Sequence, residues 1–75
     1  VSFTLDRDVD VRLTVHDAAG RRVRTLVDGP RTAGAGTADW DGRDASGRRV
    51  TAGIYFVRLE TDGEPPVSRK LALLR

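Results

Sequence analysis

From Val9 to His16 the chain alternates without interruption, with Val9, Val11, Leu13 and Val15 on one side and Asp10, Arg12, Thr14 and His16 on the other. Successive side chains of a strand point to opposite faces, so a period of two predicts a half-buried β-strand here. Asp17-Ala18-Ala19-Gly20 follows at once, with Asp where a turn opens and Gly where a positive φ is favoured. The same grammar recurs along the chain. Val1, Phe3 and Leu5 alternate with Ser2 and Thr4 before a polar turn at Asp6-Arg7-Asp8. Arg21 to Asp28 resumes an extended pattern, in which the adjacent Leu26 and Val27 call for either a bulge or a strand passing between two layers. Val23, Leu26 and Val27 also fall at helical spacing, but the run is short and β-branched, and Gly29-Pro30 ends it.

The segment from Gly29 to Gly36 reads as a crossover loop rich in Gly, Pro and Ala. It lacks the Gly-Lys-Ser/Thr ending and the following helix of a phosphate-cradling loop. Thr37, Ala38 and Asp39 then lead as a short strand into Trp40. Tyr55, Val57 and Leu59 form the apolar row of an aromatic strand, and Phe56, Arg58 and Glu60 form the other row. A turn from Thr61 to Pro66 precedes a last strand, in which Val67, Arg69, Leu71 and Leu73 oppose Ser68, Lys70, Ala72 and Leu74. Six or seven short strands, with turn signals about every 8–12 residues and no helical period, predict an all-β antiparallel sandwich. No repeat or low-complexity tail is read within the chain.

Size and composition limit what such a sandwich can do. A chain of 75 residues is a single domain, residues 1–75. A domain this small buries only about 60% of the surface its unfolded chain exposes. It has no Cys to staple the fold, and its one His cannot make a structural zinc cage. The chain has no Met and opens in the middle of an alternating pattern, which reads as a piece, here the C-terminal module, of a longer exported protein. No signal peptide or apolar run of membrane-spanning length occurs in it. Thirteen basic residues stand against 11 acidic ones, all but Lys70 of the basic ones being Arg. The two signs are interspersed, as on an ordinary solubilising surface, and neither nucleic acid nor membrane insertion is expected.

Turn residues and aromatics are densest from Trp40 to Leu59, the stretch that most resembles a site. Asp39, Asp41 and Asp44 suggest a calcium loop, but Gly42 comes too early for the EF-hand order and no Glu follows within the loop. The structural reading is that Asp41 and Asp44 bond downstream N–H groups, while Gly42 and Gly47 shape the backbone between them. Trp40 and Tyr55 then fill the core from the two arms of the turn, and Gly53 admits the chain to the aromatic strand. His16 and Asp17 are neighbours on a strand and face opposite ways, so they do not orient one another for nucleophilic catalysis. No catalytic residue, cofactor site or metal site is assigned, and an enzyme is not expected.

Two stretches carry a family resemblance. Val11-Arg12-Leu13-Thr14-Val15-His16-Asp17-Ala18-Ala19-Gly20-Arg21-Arg22-Val23-Arg24-Thr25-Leu26 resembles the first half of the FlgD-like Ig-like domain. Gly34, Trp40-Asp41-Gly42-Arg43-Asp44, Gly47, Val50 and Gly53-Ile54-Tyr55-Phe56-Val57-Arg58-Leu59 resemble its second half, and Arg69 to Arg75 its closing strand. His16 departs from the pattern, which has Tyr or Phe there. The layout is also similar to C-terminal sorting domains of type IX secretion. The resemblance implies a fibronectin type III-like sandwich in an exported protein, with no catalytic residues to carry over.

Two roles follow for test. In the first, the chain is a non-catalytic accessory module of a secreted or cell-surface protein, exported through the periplasm and serving as a spacer or as an export or attachment signal. Its partners are then proteins: parent-chain domains or secretion and surface machinery. In the second, copies of the chain assemble into a filament or sheath by edge-strand pairing. The last strand, with Leu71, Leu73 and Leu74, is the expected interaction strand because it is apolar on both faces near its end.

Overall fold

The computed structural model of the chain describes residues 2–74, which fold into six strands and no helix. They are β1 (Ser2–Leu5), β2 (Val9–His16), β3 (Arg22–Arg31), β4 (Gly34–Thr37), β5 (Gly53–Thr61) and β6 (Val67–Leu73). All pairings are antiparallel. One sheet has four strands in the order β3-β2-β5-β6, and the other holds β1 and β4. This is an Ig-like β-sandwich, one of whose sheets is half as wide as the other.

The alternation of β2 places it at the centre. Val11, Leu13 and Val15 are 2, 1 and 0% exposed, so the core is built on this row. In register with them, Leu59 faces Leu13 and Val57 faces Val15 across the β2–β5 ladder. Tyr55, Val27 and Leu5 complete the buried cluster, and Phe3 packs against it from β1. Burial of a Val or Leu side chain in such a cluster is worth about 1.5–3 kcal/mol, which makes this row the main source of cohesion in a chain without disulfides. On the opposite face of β2, Thr14 is also buried, flanked by Thr25 and Arg58 in the two ladders. Its hydroxyl lies 2.9 Å from His16 Nε2. His16 Nδ1 in turn donates to Gly20 O at 3.3 Å, leaving Nε2 to accept from Thr14. The wet face of β2 thus has its own hydrogen-bonded patch.

The adjacent Leu26 and Val27 are resolved by a bulge. The β2–β3 register shifts between Leu13 and Thr14 and again between Val15 and His16. Each shift adds a residue to β3, so Val23 and Leu26 both reach the core as well as Val27.

Two boundaries differ from the expectation. The Gly29 to Gly36 segment is not a loop throughout: β3 runs on to Arg31, and β4 begins at Gly34 rather than at Thr37. Pro30 pairs opposite Asp10 on an edge strand, where a residue without an N–H costs least. Gly36 pairs opposite Phe3 because it has no side chain: a Cβ there would lie 2.7 Å from the Phe3 ring. A Gly/Ala-rich stretch lacks the β-branched signal of a strand, yet close approach of a ring selects it. Ala38 and Asp39 lie beyond β4. Beyond Thr37, the narrow sheet gives way to a turn region that sends Ala38, Trp40 and Val50 into the core.

Candidate functional site

The turn region between β4 and β5 is a hydrogen-bonded hub. Trp40 Nε1 donates to Arg43 O at 2.8 Å, which fixes the indole over the core. Its ring meets that of Tyr55 edge-on, with centroids 5.1 Å apart and planes at 65°. Edge-to-face contact sets the positive rim of one ring against the negative face of the other. Tyr55 is buried at the start of β5, and its hydroxyl donates to Thr51 O at 2.7 Å. A buried Tyr near the start of a strand, bonding back to the chain a few residues upstream, is the tyrosine corner of Ig-like sandwiches.

Asp41 ties the hub to the wide sheet. Its Oδ1 accepts from Arg43 N at 3.0 Å and from Arg24 Nη1 of β3 at 2.9 Å. Ala45 N adds a second tether by donating to Val23 O at 3.1 Å. Gly42 is buried, and its carbonyl accepts from Val50 N at 2.9 Å. An isolated antiparallel bridge joins Arg43 to Arg49.

Asp44 organises the tip. Its Oδ1 accepts from Ser46 Oγ at 2.6 Å, Ser46 N at 3.0 Å and Arg48 N at 3.1 Å. Asp44 N donates to Arg48 O, and Gly47 N donates to Asp44 O. The turn Asp17-Ala18-Ala19-Gly20-Arg21 repeats this scheme. Asp17 Oδ1 accepts from Ala19 N and Arg21 N, Asp17 N donates to Arg21 O, and Gly20 N donates to Asp17 O. Gly20 and Gly47 have φ of 86° and 89°, a region in which an L side chain is strained. The two turns lie side by side around one shallow depression lined by Asp17, Arg21, Asp44 and Ser46. The expectation of no internal repeat is therefore corrected at small scale. Asp-Ala-Ala-Gly-Arg at 17–21 and Asp-Ala-Ser-Gly-Arg at 44–48 are two copies of one turn, and comparing five-residue words would have found them.

The electrostatics follow from these bonds. The Ser46 hydroxyl, then the Arg48 and Ser46 N–H groups, hold the Asp44 carboxyl below the ordinary aspartate range, against the opposing effect of desolvation. Asp17 is lowered likewise, chiefly by the Arg21 N–H. A carboxylate that accepts several N–H bonds is stabilised in its charged form and is a poor proton acceptor. Asp41 and Asp44 direct their oxygens to N–H and O–H donors, and Asp39 is exposed. Among the described residues no three His, Asp or Glu side chains converge as a metal would require.

Gly53, at the first position of β5, pairs with Leu73 of β6. In the last strand, Leu71 and Leu73 lean on the core, while Leu74 is 86% exposed. Arg24, which spans from β3 to the hub, and the Ala45–Val23 bond carried no sequence signal, since both depend on tertiary proximity.

The fold and the hub define a class: an Ig-like sandwich whose polar turn residues hold backbone. The FlgD Ig-like domain matches residues 1–64, and the chain belongs to that family. The family is one of non-enzymatic domains. No match was found among curated proteins or among solved structures.

Proposed function

We propose that the chain is a non-catalytic accessory module of a secreted or cell-surface protein, exported through the periplasm and working there as a spacer or as an export or attachment signal. The observation that carries this reading is the use of Asp17, Asp41 and Asp44. Each accepts from backbone N–H groups and builds turn geometry, and the two carboxylates that share the depression with Ser46, those of Asp17 and Asp44, are both bonded to backbone N–H groups there. Family membership supports the same reading, because the domain type is an accessory one. The resemblance of the sequence layout to sorting domains of type IX secretion, an expectation from the sequence, motivates the signal version, with a terminal strand read by export machinery.

A test must separate recognition from folding, because β6 pairs with β5 from Gly53 to Leu59 and its deletion would open the core. Leu74 is the better handle, being exposed and beyond the ladder. The chain is fused to a secreted reporter, and surface delivery is compared for the native sequence and Leu74→Glu. The signal version expects the variant to fold normally and lose most delivery. Unchanged delivery leaves the spacer role, and delivery that does not need the domain at all overturns the signal version.

Assembly into filaments is supported by the apolar end of the last strand and by the outer edges of β3 and β6, which pair with no strand among the described residues. Arg69 opposes it. This cation lies on the core-facing row of β6, and an inward-pointing charge on an edge strand works against stacking of like chains.

A further inference from the structure

Among the described residues, β1 is hydrogen-bonded to β4 alone and β6 to β5 alone. Between β1 and β6 the sandwich stays open as a groove of about 560 Å³. Phe3 and Thr4 form one wall, Val67, Arg69 and Leu71 the other, and Leu59 lies on the floor. The opening follows from the unequal sheets: two strands cannot cover four. Val67 shows the consequence, being 53% exposed although it pairs with the core-facing Leu59.

The groove has three unmet requirements. The free edge of β1 offers backbone N–H and C=O groups with no strand beside them, which favours pairing with an extended chain. The floor and the Val67 and Leu71 positions of the β6 wall are apolar and want alternate apolar side chains. Arg69, on the Val57 row, points a cation toward this space and makes no ion pair among the described residues. Lys70 adds a second positive charge, and among the described residues no acidic one lines the groove.

We propose that this groove binds an extended peptide strand of a partner protein, added to the free edge of β1, with apolar residues at alternate positions and a carboxylate against Arg69. Charge decides the occupant. A second copy that offered its own free apolar edge, β6, would bring Arg69 and Lys70 against the same two cations. A second β1 or β4 would bring no acid within Ser2–Leu5 or Gly34–Thr37, and a second β3 would bring three Arg with a single acid, Asp28, which already lies 4.0 Å from Arg12. The Arg that repels such strands admits an acidic one, so a single residue supplies both attraction and discrimination. This inference goes beyond the accessory-module reading and stands or falls without it.

The test uses the full chain and two synthetic peptides of about ten residues, long enough for one strand with margin. Both alternate valine with threonine, and they differ only in a central glutamate or lysine. Binding is followed by amide shifts and hydrogen exchange. The glutamate peptide is expected to bind, to slow exchange at those Ser2–Leu5 amides that are not bonded to β4 and to shift Arg69. Arg69→Glu is expected to weaken it about tenfold or more and to transfer preference to the lysine peptide. Arg69 is exposed, so the variant keeps its core, and the reversed preference shows that it folds. Failure of the native chain to bind the glutamate peptide, equal affinity for both peptides, or protection of the outward amides of Ser2–Leu5, those not bonded to β4, before any peptide is added would each overturn the proposal. Dimerisation of the chain through β1 would overturn it too, by naming a second copy as the occupant.

Discussion

The carboxylates of Asp17 and Asp44 sit below their ordinary range because the folded chain offers them N–H and O–H donors that the unfolded chain does not. The sign of the linkage follows. A lowered folded pKa contributes stability that is fully present above the unfolded value, near 3.8, and is lost as pH falls through the folded value. Acid unfolding of the native chain should therefore steepen below about pH 4. Replacing both residues by Asn keeps an acceptor oxygen in each turn but removes the titration. The double variant should have a lower Tm at neutral pH and a flatter decline between about pH 4 and pH 2. Thermal melts across that range check it, and an unchanged acid slope would mean that other carboxylates dominate. At this scale the N–H bonds that Asp44 accepts and the burial of Tyr55 are what residue type and spacing favour. The second partner of Asp41, the Arg24 guanidinium, was not legible in the sequence, because 17 residues of chain separate them and only folding brings them to 2.9 Å.

Strands were legible where one face is dry and the other wet. β2, β5 and β6 announce themselves by alternation, since a one-residue slip would bury Asp10 or Arg12 and expose Val11. β4 could not be seen this way. Its sequence, Gly-Ala-Gly-Thr, has no apolar row, and its place is set by the Phe3 ring lying on Gly36. The continuation of β3 through Gly29-Pro30 was hidden for a related reason, because residues that end strands in general are tolerated on an edge. The ring contact makes a prediction for the narrow sheet. Gly36→Val places side-chain carbon where the Phe3 ring now sits and should cost about 1–3 kcal/mol, as overpacking does. Denaturant melts would measure the loss, and protection of the β1 and β4 amides should fall before that of β2 and β5. A variant as stable as the native chain would show that the Phe3 ring has room to move aside.

For the molecule as a whole, a four-stranded sheet provides the core and the opposing cover is shared between β1–β4 and the hub. In a chain this short the hub is needed to finish the sandwich: Trp40 and Val50 cover the core beyond Thr37, while Asp41 and Ala45 fasten that cover to β3. The all-β class and antiparallel layout were accessible from turn spacing, but the unequal sheets and the groove between β1 and β6 were not, because pairing partners far apart in sequence leave no local pattern. The density of Asp, Gly and aromatics from Trp40 to Leu59 looks like a site in the sequence and is a clasp in the fold. The most direct test of that claim is the melting temperature with and without millimolar calcium, for the native chain and for Asp41→Asn. A ligand that binds only the folded state must raise Tm. Calcium is expected to leave both proteins unmoved, and Asp41→Asn to melt lower in either condition, through loss of the Arg24 ion pair. A calcium-dependent rise in the native Tm that Asp41→Asn abolishes would contradict that claim, and would make the clasp a metal site.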